Sequence, residues 1–93
     1  MYGLKEKELI ELKEILTKHH VTKAILFGSR AKGTYQKGSD VDLAIIGDEK
    51  KLADALNEES HLIYHFDIIN LEKIHNPNLK AHIERVGKEL LST

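Results

Sequence analysis

Asp40 and Asp42 flank a single residue, Val41, at the head of residues 40–46 (DVDLAII), a run that reads as a strand. Residues two apart on a strand point to the same face, so the two carboxylates project together while Val41 and Leu43 turn into a core. Carboxylates held this close repel and raise each other's pKa unless a cation neutralises them. A hard divalent ion with oxygen ligands, Mg²⁺ above all, would do so. Taken alone, a D-x-D is as easily the solvated lip of a loop. Here a second group accompanies it. Gly28-Ser29 follows directly on residues 21–27 (VTKAILF), an apolar β-branched run, and precedes a stretch that reads as a helical turn. In that setting free backbone N–H groups and the helix dipole can hold a phosphate. Gly28 lets the backbone approach a ligand, Ser29 adds a hydroxyl, and Arg30 and Lys32 stand beside them as candidate phosphate contacts, Arg30 being suited to bidentate pairing. An acidic pair and an anion cradle on neighbouring elements fit one ligand, a nucleoside triphosphate with its metal.

Other phosphate and metal motifs fail on particular residues. A P-loop needs lysine directly after its second glycine. Gly28 and Gly33 have the required separation but Thr34 follows, and Gly33 and Gly38 repeat the spacing with Ser39 next. An EF-hand fails at Ala44 and Ile45, which replace a ligand and the obligatory glycine. No G-x-G-x-x-G is present, so a dinucleotide site is unsupported.

The elements that must position these groups follow from periodicity. In residues 4–19, Leu9, Leu12, Ile15 and Leu16 recur at helical spacing between Lys and Glu. Residues 21–27 are expected as a buried strand ending at Gly28, residues 29–39 as a short turn or helix plus a loop, and residues 40–46 as a second strand closed by Gly47-Asp48. Residues 49–58 place Leu52, Ala55 and Leu56 on one helical face. Residues 62–71 (LIYHFDIINL) read as a third strand centred near Asp67. Asn76-Pro77 is a helix start, and Leu79, Ile83, Val86 and Leu90 form the stripe of a C-terminal helix, weakened at Gly87 by roughly 1 kcal/mol. The expected architecture is α/β (α+β), a small mixed sheet with helices packed on it.

At 93 residues, a single domain spanning 1–93 is expected. No apolar run approaches a membrane span, the start has no signal-peptide core, and the absence of cysteine removes disulfides, thiolate metal sites and thiol nucleophiles. A cytoplasmic protein is the simplest expectation. Fourteen basic against fifteen acidic residues give a formal charge of −1. The basic excess of a domain that grips long nucleic acid is absent, whereas a small anion handled by local groups and a metal is compatible.

Gly28-Ser29, ten intervening residues, then Asp40-Val41-Asp42 resembles the G-S-x10-D-x-D signature of the polymerase-β-like nucleotidyltransferase superfamily. The stretch GSRAKGTYQKGSDVDLAI resembles its minimal nucleotidyltransferase branch, with the similarity running from about Val21 to the end. The resemblance implies a polymerase-β palm-like fold and a third carboxylate on the next strand, a position matched by Asp67 in Phe66-Asp67-Ile68-Ile69. It implies that Asp40, Asp42 and Asp67 bind two Mg²⁺ ions, that Asp67 helps deprotonate the attacking hydroxyl, and that Gly28 and Ser29 grip the β- and γ-phosphates of ATP. About two dozen residues follow Asp67, enough for one helix and not for an acceptor domain. The branch implies that the acceptor is a partner, a HEPN-family helical toxin, with AMP transferred to its tyrosine by an antitoxin. Two alternatives stay open: an antitoxin acting by contact alone, and a transferase for a small molecule such as an aminoglycoside, whose pocket a homodimer could build.

The remaining candidates carry weaker signals. His19-His20 close the first helix, where a cation suits the dipole. His61 and His65 would share a strand face, which turns His65 the same way as Asp67 and towards the acceptor side. His75 and His82 have no carboxylate or histidine at ligand spacing. Tyr35 could stack on a base, although a solvated loop tyrosine is the plainer reading, as solvated roles are for Lys32 and Lys37.

Overall fold

Five of residues 21–27 form a strand in the computed structural model, which describes residues 1–92; Thr93, the last residue of the expected 1–93 unit, lies outside the described residues. The strand, β1, spans Lys23–Phe27 and stops where Gly28 takes φ +74°. It is preceded by helix α1 (Glu6–Lys18), whose Leu12 and Leu16 are fully buried and whose lysines, with Glu6 and Glu14, face water. A short helix α2 (Gly28–Lys32) ends at Gly33, in the left-handed conformation that closes many helices. Strand β2 (Val41–Ile46) runs back beside β1, and Asp48 caps helix α3 (Glu49–Asp54) by accepting the Lys51 N–H. A π-helical turn over Ala55–Glu59 extends α3, and strand β3 (Phe66–Asn70) follows after a loop. Asn76 and Pro77 open helix α4 (Pro77–Val86) as expected, the Asn76 side chain accepting from Asn78 and Leu79 N–H.

Two boundaries differ from the expectation. The third strand begins at Phe66 rather than Leu62, because the residues before it serve other contacts. Tyr64 donates its hydroxyl to Glu8 on α1 at 2.8 Å, and the His65 carbonyl accepts the Val41 N–H at 2.9 Å. The C-terminal helix stops at Val86, and Lys88–Ser92 form a fourth strand, β4, antiparallel to β1. Gly87 makes the change of direction. A side chain there would collide with the Ile83 carbonyl and with Ile25 on β1, so only glycine lets the chain pass this close to the sheet. Leu90, read as the end of a helical stripe, instead enters the core from a strand.

The sheet order is β3-β2-β1-β4, with β2 parallel to β3 and the other pairs antiparallel. One face carries Ala24, Leu26, Val41, Leu43, Ile45 and Phe66 against Leu12, Leu16, Leu52 and Leu56, the larger core. The other face packs Phe27, Ala44 and Ile69 under Ile83 and Leu79 of α4. This is the expected mixed α/β arrangement, helices covering both faces of a small sheet.

The π-helical turn has a local task. It presents Asn57, whose amide donates to the Phe66 carbonyl at 3.0 Å and accepts the Phe66 N–H at 2.8 Å, pairing with the first residue of β3 as a strand would. Asn57→Ala deprives both backbone groups of that partner. A loss of about 1–3 kcal/mol in stability is expected, seen as a lower urea midpoint with an unchanged slope.

Candidate active site

The register of the sheet assembles the site. Phe27 of β1 pairs with Asp42 of β2, and Asp42 with Asp67 of β3, so these three side chains lie in one row on the α4 face. Asp40 stands one residue before β2, exposed, and Asp67 is exposed on β3, while Asp42 is half-buried between them. Burial first, and then the negative charges of Asp67 and Asp40, push the Asp42 carboxyl above its usual range, with His82 opposing the shift. Asp42 thus feels both of the other carboxylates.

Gly28 lies directly against this group. A Cβ at position 28 would run into the Asp42 carboxylate, and the φ of +74° is one that side-chain-bearing residues rarely adopt. The chain therefore passes from β1 into α2 in contact with Asp42. Sequence spacing placed Gly28-Ser29 and Asp40/Asp42 on neighbouring elements, and the fold brings Gly28 against Asp42.

The donor set suits a hard divalent cation: oxygen ligands only, mutually repelling, at the mouth of an apolar strand. Among the described residues no three His, Asp or Glu side chains close into a finished metal cage. An open carboxylate set that substrate phosphates complete is the usual arrangement for Mg²⁺, which keeps few protein ligands.

Arg30, expected as a phosphate contact, has a different set of partners. It is 2% exposed, and its Nε and Nη2 donate to the Ser39 carbonyl at 3.2 and 3.0 Å while Nη1 donates to the Tyr2 carbonyl at 2.9 Å. Its guanidinium carbon sits 4.8 Å from the Tyr64 ring centre and 5.2 Å from that of Tyr35. Tyr35, exposed in the loop, thus rests one face against a cation. The Tyr64 hydroxyl, raised in pKa by burial and by its bond to Glu8, continues the network to α1. Burial of this arginine, which has no ion-pair partner among the described residues, is tolerable because carbonyls and π-faces replace water around it.

His65 stands one residue before β3, as Asp40 does before β2, and its side chain is exposed. His82, which has no partner at ligand spacing in the sequence, does reach the site. Its ring meets Phe27 edge-on at 6.3 Å between centres, and its charge acts on Asp42. The signal for it was helical: His82 lies three residues after Leu79 and next to Ile83, on the flank of the stripe that packs against the sheet. Lys32 and Lys37 are exposed.

Known proteins resemble this chain in sequence and in fold. A Methanocaldococcus jannaschii protein whose name proposes a protein adenylyltransferase, MJ1379, is 35% identical over 94 residues, spanning 84% of this chain and 93% of its own. In a crystal structure of a toxin–antitoxin with AMP-PNP, one chain superposes with a TM-score of 0.75 at 23% identity, covering 91% of this chain and 73% of that one. A chain in the complex of a tri-AMPylated Shewanella oneidensis HEPN toxin with an MNT antitoxin superposes with a TM-score of 0.54 at 24% identity, covering 100% and 74%. At these identities the two structures speak to the fold, which is the nucleotidyltransferase fold implied by the sequence. No helix among the described residues is long and apolar enough to cross a membrane. Residues 10–93, holding both the Gly28-Ser29 turn and the three aspartates, match the polymerase beta nucleotidyltransferase family, and the chain belongs to that family.

Proposed function

We propose that this chain transfers AMP from ATP to a tyrosine hydroxyl of a HEPN-type toxin and so acts as its antitoxin. The observation that carries the proposal is the row Asp42–Asp67 at the end of parallel strands, with Gly28 in contact with Asp42 and Asp40 within its electrostatic reach. The relatives support the acceptor: one binds an ATP analogue within a toxin–antitoxin pair, and another contains a HEPN toxin already carrying AMP.

Asp40, Asp42 and Asp67 are the residues that would hold two Mg²⁺ ions. Bound there, the ions supply charge neutralisation for the triphosphate and a lowered pKa for the attacking hydroxyl. Gly28 and Ser29 present backbone N–H groups and a hydroxyl to the β- and γ-phosphates, a contact open to a ligand because no side chain at position 28 intervenes. Asp67, exposed on the edge strand, faces the acceptor side and accepts the proton of the tyrosine hydroxyl. The tyrosine oxygen then bonds to the α-phosphorus in line with the departing oxygen, the bond to the β-phosphate bridge breaks, and pyrophosphate leaves. Phe27 and His82 wall the site from the sheet and α4 sides.

Incubation of the chain with ATP, Mg²⁺ and a HEPN-type toxin that it neutralises is expected to raise the partner's mass by one or more adenylyl groups, localised to tyrosine by fragmentation. A partner that is bound and silenced at unchanged mass would show neutralisation by contact instead. Modification of an aminoglycoside in place of the protein would move the acceptor to a small molecule.

A further inference from the structure

We infer that Arg30 is a positioning residue of the active site, holding the aspartate-bearing loop in register while touching neither nucleotide nor acceptor; the inference rests on the AMP-transfer reading above. Arg30 directly follows Ser29, and the carbonyl that it grips belongs to Ser39, directly before Asp40. Two donors of one rigid plane converge on that single oxygen, fixing the direction of the chain as well as its distance. A third donor holds the Tyr2 carbonyl, and two aromatic rings fix the plane. One of those rings, Tyr64, lies three residues before Asp67, in the loop whose His65 carbonyl receives the Val41 N–H. The segments bearing Ser29, Asp40 and Asp67 therefore converge on one guanidinium.

The loop needs such a tie. Its internal bonds are local: Ser39 N–H to the Gln36 carbonyl and Gln36 N–H to the Ser39 hydroxyl. Residues 32–38 are exposed. Asp40 and Asp42 repel in the absence of a cation, which favours a loop that swings Asp40 outward. The bond from Arg30 to Ser39 opposes that movement, so the carboxylates stay gathered before metal and nucleotide arrive. Groups already in place when substrate binds avoid reorganisation during reaction. Lysine keeps the charge but has neither the fork nor the flat face.

Arg30→Lys tests this. Its kcat for AMP transfer is expected to fall about 10- to 100-fold, the scale for slight misplacement of reacting groups, with KM for ATP little changed. Binding of Mn²⁺ to the complex with AMP-PNP, followed by electron paramagnetic resonance, is expected to weaken several-fold. Gly3→Ala disturbs the same guanidinium from another segment, since its methyl would crowd both the Tyr35 ring and Arg30 Nη1, 2.6 Å away; it should shift both readouts in the same direction, and it carries the test if Arg30→Lys does not fold. Ile45→Val, buried on the opposite face of the sheet, serves as the stability control and should leave both readouts unchanged. Wild-type kcat and Mn²⁺ affinity in the arginine and glycine variants would overturn the inference, as would equal losses in Ile45→Val. Wild-type protein that neither binds Mn²⁺ with AMP-PNP nor transfers AMP would overturn the reading of the site itself, and this inference with it.

Discussion

Asp42→Asn is expected to give a protein that melts at a higher temperature and transfers no measurable AMP. The gain in stability comes from the charge arrangement. Asp42 sits half-buried between Asp67 and Asp40, and its carboxyl is held above the usual value by burial and by those two charges. For an acid raised in the folded state, the native protein binds more protons than the unfolded chain between the two pKa values. Stability therefore declines as pH rises from the ordinary 3.8 through the raised value, and the deficit persists at neutral pH. Asparagine has nearly the same shape and no charge, so in EDTA at pH 7 the variant should melt a few degrees above wild type. Below the ordinary carboxylate pKa the two should converge. The loss of activity follows from the same charge. Removing one group that stabilises the transition state typically costs about 10²–10³-fold or more. Added Mg²⁺ should raise the melting temperature of wild type and leave that of the variant nearly unchanged, and removing the ion should return the wild type to its lower value. A variant less stable than wild type in EDTA would refute the electrostatic account, and full transfer by the variant would remove Asp42 from the catalytic group. A variant that still silences its partner without modifying it would support neutralisation by contact.

The local parts of the site were legible in the sequence because their geometry is set within a few residues. Strand alternation alone aligns Asp40 with Asp42, and Gly28 at the end of an apolar run announces a sharp change of direction. Asp67 was reached through the family resemblance, since its pairing with Asp42 depends on parallel register between strands some twenty residues apart. The element boundaries that failed were decided by tertiary contacts. Leu90 lies four residues after Val86, a spacing that suits a helix as well as a core-facing strand residue. The choice between them came from the fit of Gly87 against Ile25, which no local pattern contains. Arg30 shows the same limit more sharply. An arginine beside the Gly28-Ser29 turn carries a functional expectation, yet its donors are taken by carbonyls at positions 2 and 39, on other segments of the fold. His82 was passed over because its partners, Phe27 and Asp42, stand on strands rather than on its own helix.

Gly28→Ala provides the strongest test of how closely the backbone and the carboxylates are fitted. Two penalties combine at this position. Holding alanine at φ +74° costs roughly 1–2 kcal/mol in backbone conformation. The added methyl would also collide with the Asp42 carboxylate, so either the strand end or the carboxylate must move. Gly33 separates these effects, since it has φ +83° but no heavy atom within 4 Å of the place a methyl would occupy. Gly33→Ala should therefore lower stability by about 1 kcal/mol, the backbone penalty alone, with AMP transfer close to wild type. Gly28→Ala should lose at least that much stability and also about 10²-fold or more in kcat, because displacement of Asp42 misplaces the reacting groups. Thermal melts together with initial rates at saturating ATP distinguish the two variants. Equal activity in both would mean that Asp42 tolerates movement and that the close contact at Gly28 is only a turn. A loss confined to Gly28→Ala would place the constraint where the site needs it, at the junction between the Gly28-Ser29 turn and the central carboxylate.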